Sequence, residues 1–410
     1  MTYSALVINK LKQKVSLPLP LLALLLLVSH PSQAAPPADS VRQVVARTLR
    51  QHILAEAAWA LQQAPVTVTA NHSPRSAGGP HDFFSEGDYW WPDPAQPGGP
   101  YVQRDGLTNS NNFTAHREAL MRFSRVVGAL AVGALASAYE LTGDAQYVRH
   151  ALRHLRAWLL ASATLMNPSL LYAQAIQGRF TGRGIGIIDT IQLLEVAQGV
   201  LVMQASPAFP AADLAGIKNW FAQYLTWLTT SKNGLDERNA TNNHGTCWVL
   251  QVAAFARLTD NQALLTDCRE RYQTVLLPGQ MAANGSFPQE LKRTKPYGYS
   301  LFNLDAMALI CQILSTKEQS LWTYQMADGR GIQLGIEYLY PYVADKTSWP
   351  LAPDVMYWAD WPVAQPFLVL GAAQLGNLDW LATWQRLEHD PQVPEVLRNL
   401  PARNPLIWLR

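Results

Sequence analysis

Ala138-Tyr139-Glu140-Leu141-Thr142-Gly143 closes a run of small and apolar residues, and two later stretches echo it: Phe255-Ala256-Arg257-Leu258-Thr259-Asp260 and Ala372-Ala373-Gln374-Leu375-Gly376-Asn377. The three leucines are spaced evenly, 117 residues apart each time. In each stretch an Ala- and Leu-rich helix meets a turn and helical spacing then resumes. A period of this length holds two helical hairpins, and repeated hairpins imply a solenoid or a closed ring. Outward from these stretches, amphipathic segments of helical length recur over 42–64, 113–141, 144–162, 188–204, 211–230, 244–258, 262–276, 300–315 and 364–375. No convincing run of alternating strands interrupts them, so the predicted fold class is all-α. Between the first two segments, 65–100 gathers Pro, Gly, Ser and Asp around Phe83, Phe84, Tyr89, Trp90 and Trp91, which reads as a long ordered loop.

The chain has 410 residues, 49% hydrophobic and 15% charged, with a net charge of +2. This composition excludes a disordered chain, and the charge argues against a nucleic-acid partner, which a strongly basic face would signal. Lys10, Lys12 and Lys14, the apolar run Leu21 to Val28 and the small residues of Ser32-Gln33-Ala34 read as a secretory leader cleaved after Ala34. Cleavage leaves one domain over 35–410, with 29 Lys plus Arg against 30 Asp plus Glu, a periplasmic or secreted location and no membrane attachment. The mature chain is then near neutral, so attraction to a charged substrate depends on local clusters. Cys247, Cys268 and Cys311 lie in apolar helical segments and read as buried thiols, with no Cys-x-x-Cys pair for zinc.

Two segments carry chemistry. Thr241-Asn242-Asn243-His244 stands just before a helix, where two carboxamides and an imidazole offer donors to an anion and the helix dipole adds to the attraction. Phe287 to Asn303 contains Lys292, Arg293 and Lys295, then Tyr297 and Tyr299 around a glycine at the start of a helix. Asn242 or Asn243 is in addition a candidate N-cap. Gly182, Gly184 and Gly186 have no preceding strand and are not a dinucleotide loop, while His150 and His154, one helical turn apart beside Arg149 and Arg153, read as a surface pair.

These residues resemble the alginate lyase superfamily of helical-toroid polysaccharide lyases. The resemblance rests on Asn242-Asn243-His244, Glu290-Leu291-Lys292-Arg293 and the following Tyr, and takes in Tyr89-Trp90-Trp91-Pro92 and Gly182-Arg183-Gly184. It implies an incomplete (α/α) toroid, an acidic polysaccharide as substrate, no metal or other cofactor, a monomer, and an active site of Asn243, His244, Arg293 and Tyr299. The chain departs from the classical pattern in Gly245-Thr246-Cys247-Trp248 after the triplet and in an Arg-to-Tyr spacing one residue shorter, which points to a divergent mannuronan- or glucuronan-cleaving subfamily and keeps Tyr297 as a competitor for Tyr299.

The residue types suit uronate β-elimination on chemical grounds as well. Abstracting the C5 proton requires that the carboxylate be neutralised, which Asn243, Arg293 and a protonated His244 supply. In mannuronate and glucuronate the C5 proton and O4 leave from one side of the ring, so a single tyrosine, its phenolate favoured by Arg293 and Lys295, serves as base and then acid. Tyr89, Trp90 and Trp91 either stack on sugar rings or wedge the helical ring shut, and Arg179 and Arg183 are candidates for further carboxylates along the polymer. The competing readings are a hydrolase using Glu86 and Asp88 or Asp236 and Glu237, and a binding protein without catalysis.

Overall fold

In the computed structural model, residues 38–127 and 134–409 are described; the leader lies outside them, as does the middle of the predicted 113–141 helix. The first helices are α1 (Ala38–Ala60), α2 (Ala115–Val127), α3 (Ala134–Thr142), α4 (Ala145–Leu159), α5 (Leu193–Met203) and α6 (Ala211–Thr230). They are followed by α7 (Lys232–Arg238), α8 (Asn243–Leu258), α9 (Gln262–Arg271) and the single turns α10 (Leu277–Gln280) and α11 (Pro288–Leu291). The chain continues with α12 (Pro296–Leu314), α13 (Ile332–Ala344), α14 (Pro366–Leu375), α15 (Leu378–Arg386), α16 (Pro394–Arg398) and α17 (Pro405–Trp408). The predicted 188–204 helix divides into a 3-10 stretch, Gly184–Gln192, and α5, and the predicted 262–276 helix passes into a π-turn over Tyr272–Leu276.

Six helices close a ring: α1 packs on α3, α3 on α5, α5 on α8, α8 on α12, α12 on α14, and α14 back on α1. Their sequences explain the placement. All of α8 but His244 and Arg257 and all of α12 but Gln312 are buried, as expected of helices apolar on every side. The partners outside them are amphipathic. In α4, Val148, Ala151, Leu152, Leu155, Trp158 and Leu159 form one buried stripe. Leu141, Leu258 and Leu375 lie at the ends of α3, α8 and α14, alternate members of the ring. The 117-residue spacing therefore advances the chain by two helix pairs, as the repeat implies.

The few strands are short. β1 (Phe84–Glu86) pairs in parallel with β4 (Tyr172–Ala175), while β2 (Trp90–Trp91) and β3 (Val102–Gln103) form a small antiparallel hairpin. Gly182 and Gly186 lie against β4 and the residue before it: a Cβ on Gly182 would stand 1.9 Å from the Leu171 carbonyl oxygen, and one on Gly186 would strike Ala173. A strand, β4, does precede these glycines, contrary to the sequence reading, and their role beside it is close backbone approach.

The three cysteines are free and buried. His150 and His154 are not a surface pair: they are 8% and 2% exposed, and both Nε2 atoms bond the Gln63 carbonyl oxygen, at 3.1 and 3.2 Å, just beyond the end of α1. Burial pulls the His154 pKa down to about 4, with His150 adding to the effect. The unfolded chain, with an ordinary value of about 6.5, binds a proton that the native site refuses. Stability is therefore complete above that value and falls as the pH drops toward 4, by on the order of 3 kcal/mol from this group. Urea midpoints at neutral and acid pH are expected to differ less for His154→Gln than for the native chain, and equal pH dependence would refute the assignment.

Candidate active site

The N-termini of α8 and α12, the β2–β3 hairpin, the 3-10 stretch before α5 and the end of α16 surround a cleft. Asn243, His244, Arg293 and Tyr299, drawn from two separate segments, all line it.

Asn242 is the N-cap of α8, its side chain accepting the His244 backbone N–H at 3.3 Å. That cap turns the next two side chains inward. Asn243 is fixed by Glu290, which accepts its backbone N–H at 2.8 Å and its Nδ2 at 2.6 Å. Burial raises the Glu290 pKa, partly offset by these bonds. His244 Nδ1 bonds Glu237 Oε1 at 2.8 Å, which leaves Nε2 for the cleft. Burial would lower the imidazole pKa, yet the charge and hydrogen bond of Glu237 outweigh it and hold the ring above its ordinary value.

Arg293 forms a bidentate pair with Asp105, Nε to Oδ2 at 3.1 Å and Nη2 to Oδ1 at 2.6 Å. The pair aims the guanidinium at Tyr299: Nη2 is 3.5 Å from the phenol oxygen, and the guanidinium carbon lies 4.6 Å from the ring centre. The Tyr299 hydroxyl also donates to the Tyr89 hydroxyl at 2.9 Å, and Tyr89 donates to Glu395 Oε1 at 3.4 Å. Burial pushes the Tyr299 phenol well up; Arg293 and the Tyr89 bond oppose this without overcoming it, so the free site holds a neutral phenol rather than the expected phenolate.

The other predicted residues divide. Tyr89, Trp90 and Arg183 line the cleft. Trp90 pairs with Gln103 across the hairpin and shares the cleft with it. Trp91, next along the strand, points to the other face, donating to the Leu107 carbonyl at 3.0 Å. Arg183 is pinned by the Gln174 carbonyl at 2.9 Å, and burial lowers its pKa to about 10. Arg179 lies outside the cleft, exposed, donating to the Tyr101 carbonyl at 2.7 Å, although its guanidinium stacks 5.5 Å from Trp90. Lys295 is 4% exposed and ion-paired with Glu395, so it is closed off from a sugar. Tyr297 is a core residue: fully buried, edge-on to Trp349 and Trp358, its hydroxyl donating to the Tyr342 carbonyl at 3.0 Å.

Sequence reading missed Gln103, Gln174, Asp189, Arg398 and Asn399 in the cleft wall, and Asp105 and Glu395 behind it; Asp88 it weighed only for hydrolysis, and Glu290 only as part of a motif. Arg398 pairs with Asp88 and, at 2.6 Å, with Glu395. The carboxylates of the hydrolase reading have other tasks: Glu86 pairs with Arg75, Asp88 with Arg117 and Arg398, exposed Asp236 with Lys232, and Glu237 with His244. Among the described residues no group of three His, Cys, Asp or Glu is arranged to hold a metal ion.

The sequence profile of the alginate lyase family matches residues 67–349. An alginate lyase from Bacteroides ovatus is 30% identical, superimposes with a TM-score of 0.76, and aligns over 91% of this chain and 99% of its own. Alginate lyase A1-III from Sphingomonas species A1 shares the fold at 15% identity and a TM-score of 0.55, over 84% of this chain and 89% of its own. A variant of A1-III complexed with a tetrasaccharide gives 14% identity and 0.56, over 87% and 93%. No protein of curated function matches the sequence. With an α/α toroid and a match over most of its length, the chain belongs to the alginate lyase family and is a polysaccharide lyase.

Proposed function

We propose that this lyase cleaves a β-1,4-linked polyuronate, mannuronan or glucuronan, by β-elimination, with Tyr299 as base and acid. The observation that carries the reading is one phenol oxygen set 3.5 Å from Arg293 Nη2 and 2.9 Å from the Tyr89 hydroxyl, in a cleft shared with Asn243 and His244.

Arg293, His244 and the Nδ2 hydrogen of Asn243 that Glu290 does not occupy meet the uronate carboxylate, whose charge grows as C5 loses its proton. Tyr299, neutral in the free site, first releases its own proton to solvent. The resulting phenolate takes the C5 proton, the C5–H electron pair forms the C4=C5 double bond, and the C4–O4 bond breaks. The phenol then protonates O4 and is again a phenolate, so the proton gained from C5 is the one delivered to the leaving oxygen. A substrate whose C5 proton and O4 share a face suits one catalytic group. Trp90 and Arg183 supply an aromatic face and a cation for neighbouring sugars. The test is a screen of the purified chain against polymannuronate, polyguluronate, glucuronan and hyaluronan, following ultraviolet absorbance of the new double bond. Absorbance is expected with polymannuronate or glucuronan, and reducing ends without absorbance would refute elimination.

A further inference from the structure

Glu237 touches a group that the elimination reading uses, yet that reading gives it no part of its own. It lies in α7, fully buried; Oε1 meets His244 Nδ1 at 2.8 Å, and Oε2 has no hydrogen-bond partner among the described residues. A carboxylate shut away from water in this way requires an opposite charge beside it. Its ion-pair partner is His244.

The groups that face His244 come from several elements: Glu237 from α7, Glu290 from α11 and Arg293 from the turn before α12. Arg183, at the start of the 3-10 stretch, is near enough to Glu237, and to Asp189 within that stretch, for both carboxylates to act on its charge. Two carboxylates against one guanidinium favour a charged ring, and the raised imidazole pKa agrees with that count. The Nδ1 bond also fixes the ring plane, so the second nitrogen is committed to the cleft.

We propose that Glu237 is a positioning residue that keeps His244 a cation with Nε2 toward the bound sugar, so that His244 stabilises the uronate carboxylate and cannot act as the base. The proposal rests on the elimination reading for its consequence, though not for its test. An imidazolium has no free lone pair to accept the C5 proton, which leaves that task to Tyr299.

The experiment is an NMR titration of the full chain labelled with 13C-histidine, the His244 signal being identified by its loss in His244→Gln. The native signal is expected to titrate above about 6.5, and in the isosteric Glu237→Gln to fall by about one pH unit or more. Turnover of polymannuronate should then be nearly equal for native and Glu237→Gln at acid pH, the ratio growing to about tenfold at alkaline pH as the variant loses its cation first. A native midpoint at or below the ordinary value, or a rate ratio constant across pH, overturns the proposal. If the native chain turns over none of the polyuronates, the elimination reading fails while the titration still decides the charge of His244.

Discussion

Tyr299→Phe is expected to lower kcat on the best polyuronate by about 10²–10⁴-fold, since proton abstraction and protonation of the leaving oxygen are lost together. The ring remains, so the contact with Arg293 persists and folding should survive. The lost bond to the Tyr89 hydroxyl is worth about 1 kcal/mol. Tyr297→Phe should behave in the opposite way. Its hydroxyl serves the Tyr342 carbonyl in the core, so the variant should keep its turnover and lose about 1 kcal/mol of stability. Steady-state elimination rates and urea midpoints for both variants decide the matter: an active Tyr299→Phe beside an inactive Tyr297→Phe would reverse the assignment.

Arg293→Ala should reduce kcat by about 10²–10³-fold while changing KM far less. The guanidinium matters most when the carboxylate gains charge, and Tyr299 loses the cation that opposes its burial. Asp105 would be left without its partner, but at 31% side-chain exposure it can be solvated. Arg293→Lys should recover little, because a point charge cannot reproduce the two-point hold of Asp105 that directs the planar group. A variant whose KM rises with kcat intact would make Arg293 a binding residue.

The helical ring was legible because helical spacing is a local signal, and the even leucines carried the order of the ring as well. The Asn243-His244 turn and Arg293 were legible because each sits beside a helix start, where donors are set out in sequence. Their partners were hidden. Asp105 reaches Arg293 across 188 residues and Glu395 reaches Tyr89 across 306, separations that no local pattern reports. Lys295 and Tyr297 misled for a related reason. Charge and aromaticity near a catalytic residue suggest contact with substrate, whereas one is neutralised by Glu395 and the other packs between tryptophans. Trp91 fell to the alternation of a two-residue strand too short to be recognised in advance.

Residues 395–408 bear on when the cleft is assembled. Glu395 anchors Tyr89 and Lys295, while Arg398 and Asn399 wall the cleft. Glu195 in α5 ties down the residues beyond them by accepting the backbone N–H groups of Arg403 and Asn404 and the Trp408 indole. During synthesis, the turn bearing Asn243 and His244 and the helix bearing Tyr299 leave the ribosome long before this stretch does. Until it docks, Tyr89 lacks its anchor and one wall of the cleft is missing, so the growing chain carries its reactive groups unassembled. Such distant pairings form late, after the local helices. The cleft is therefore complete only once residues 395–408 have docked on α5, so the wall they supply is a late addition to a site whose other groups lie earlier in the chain.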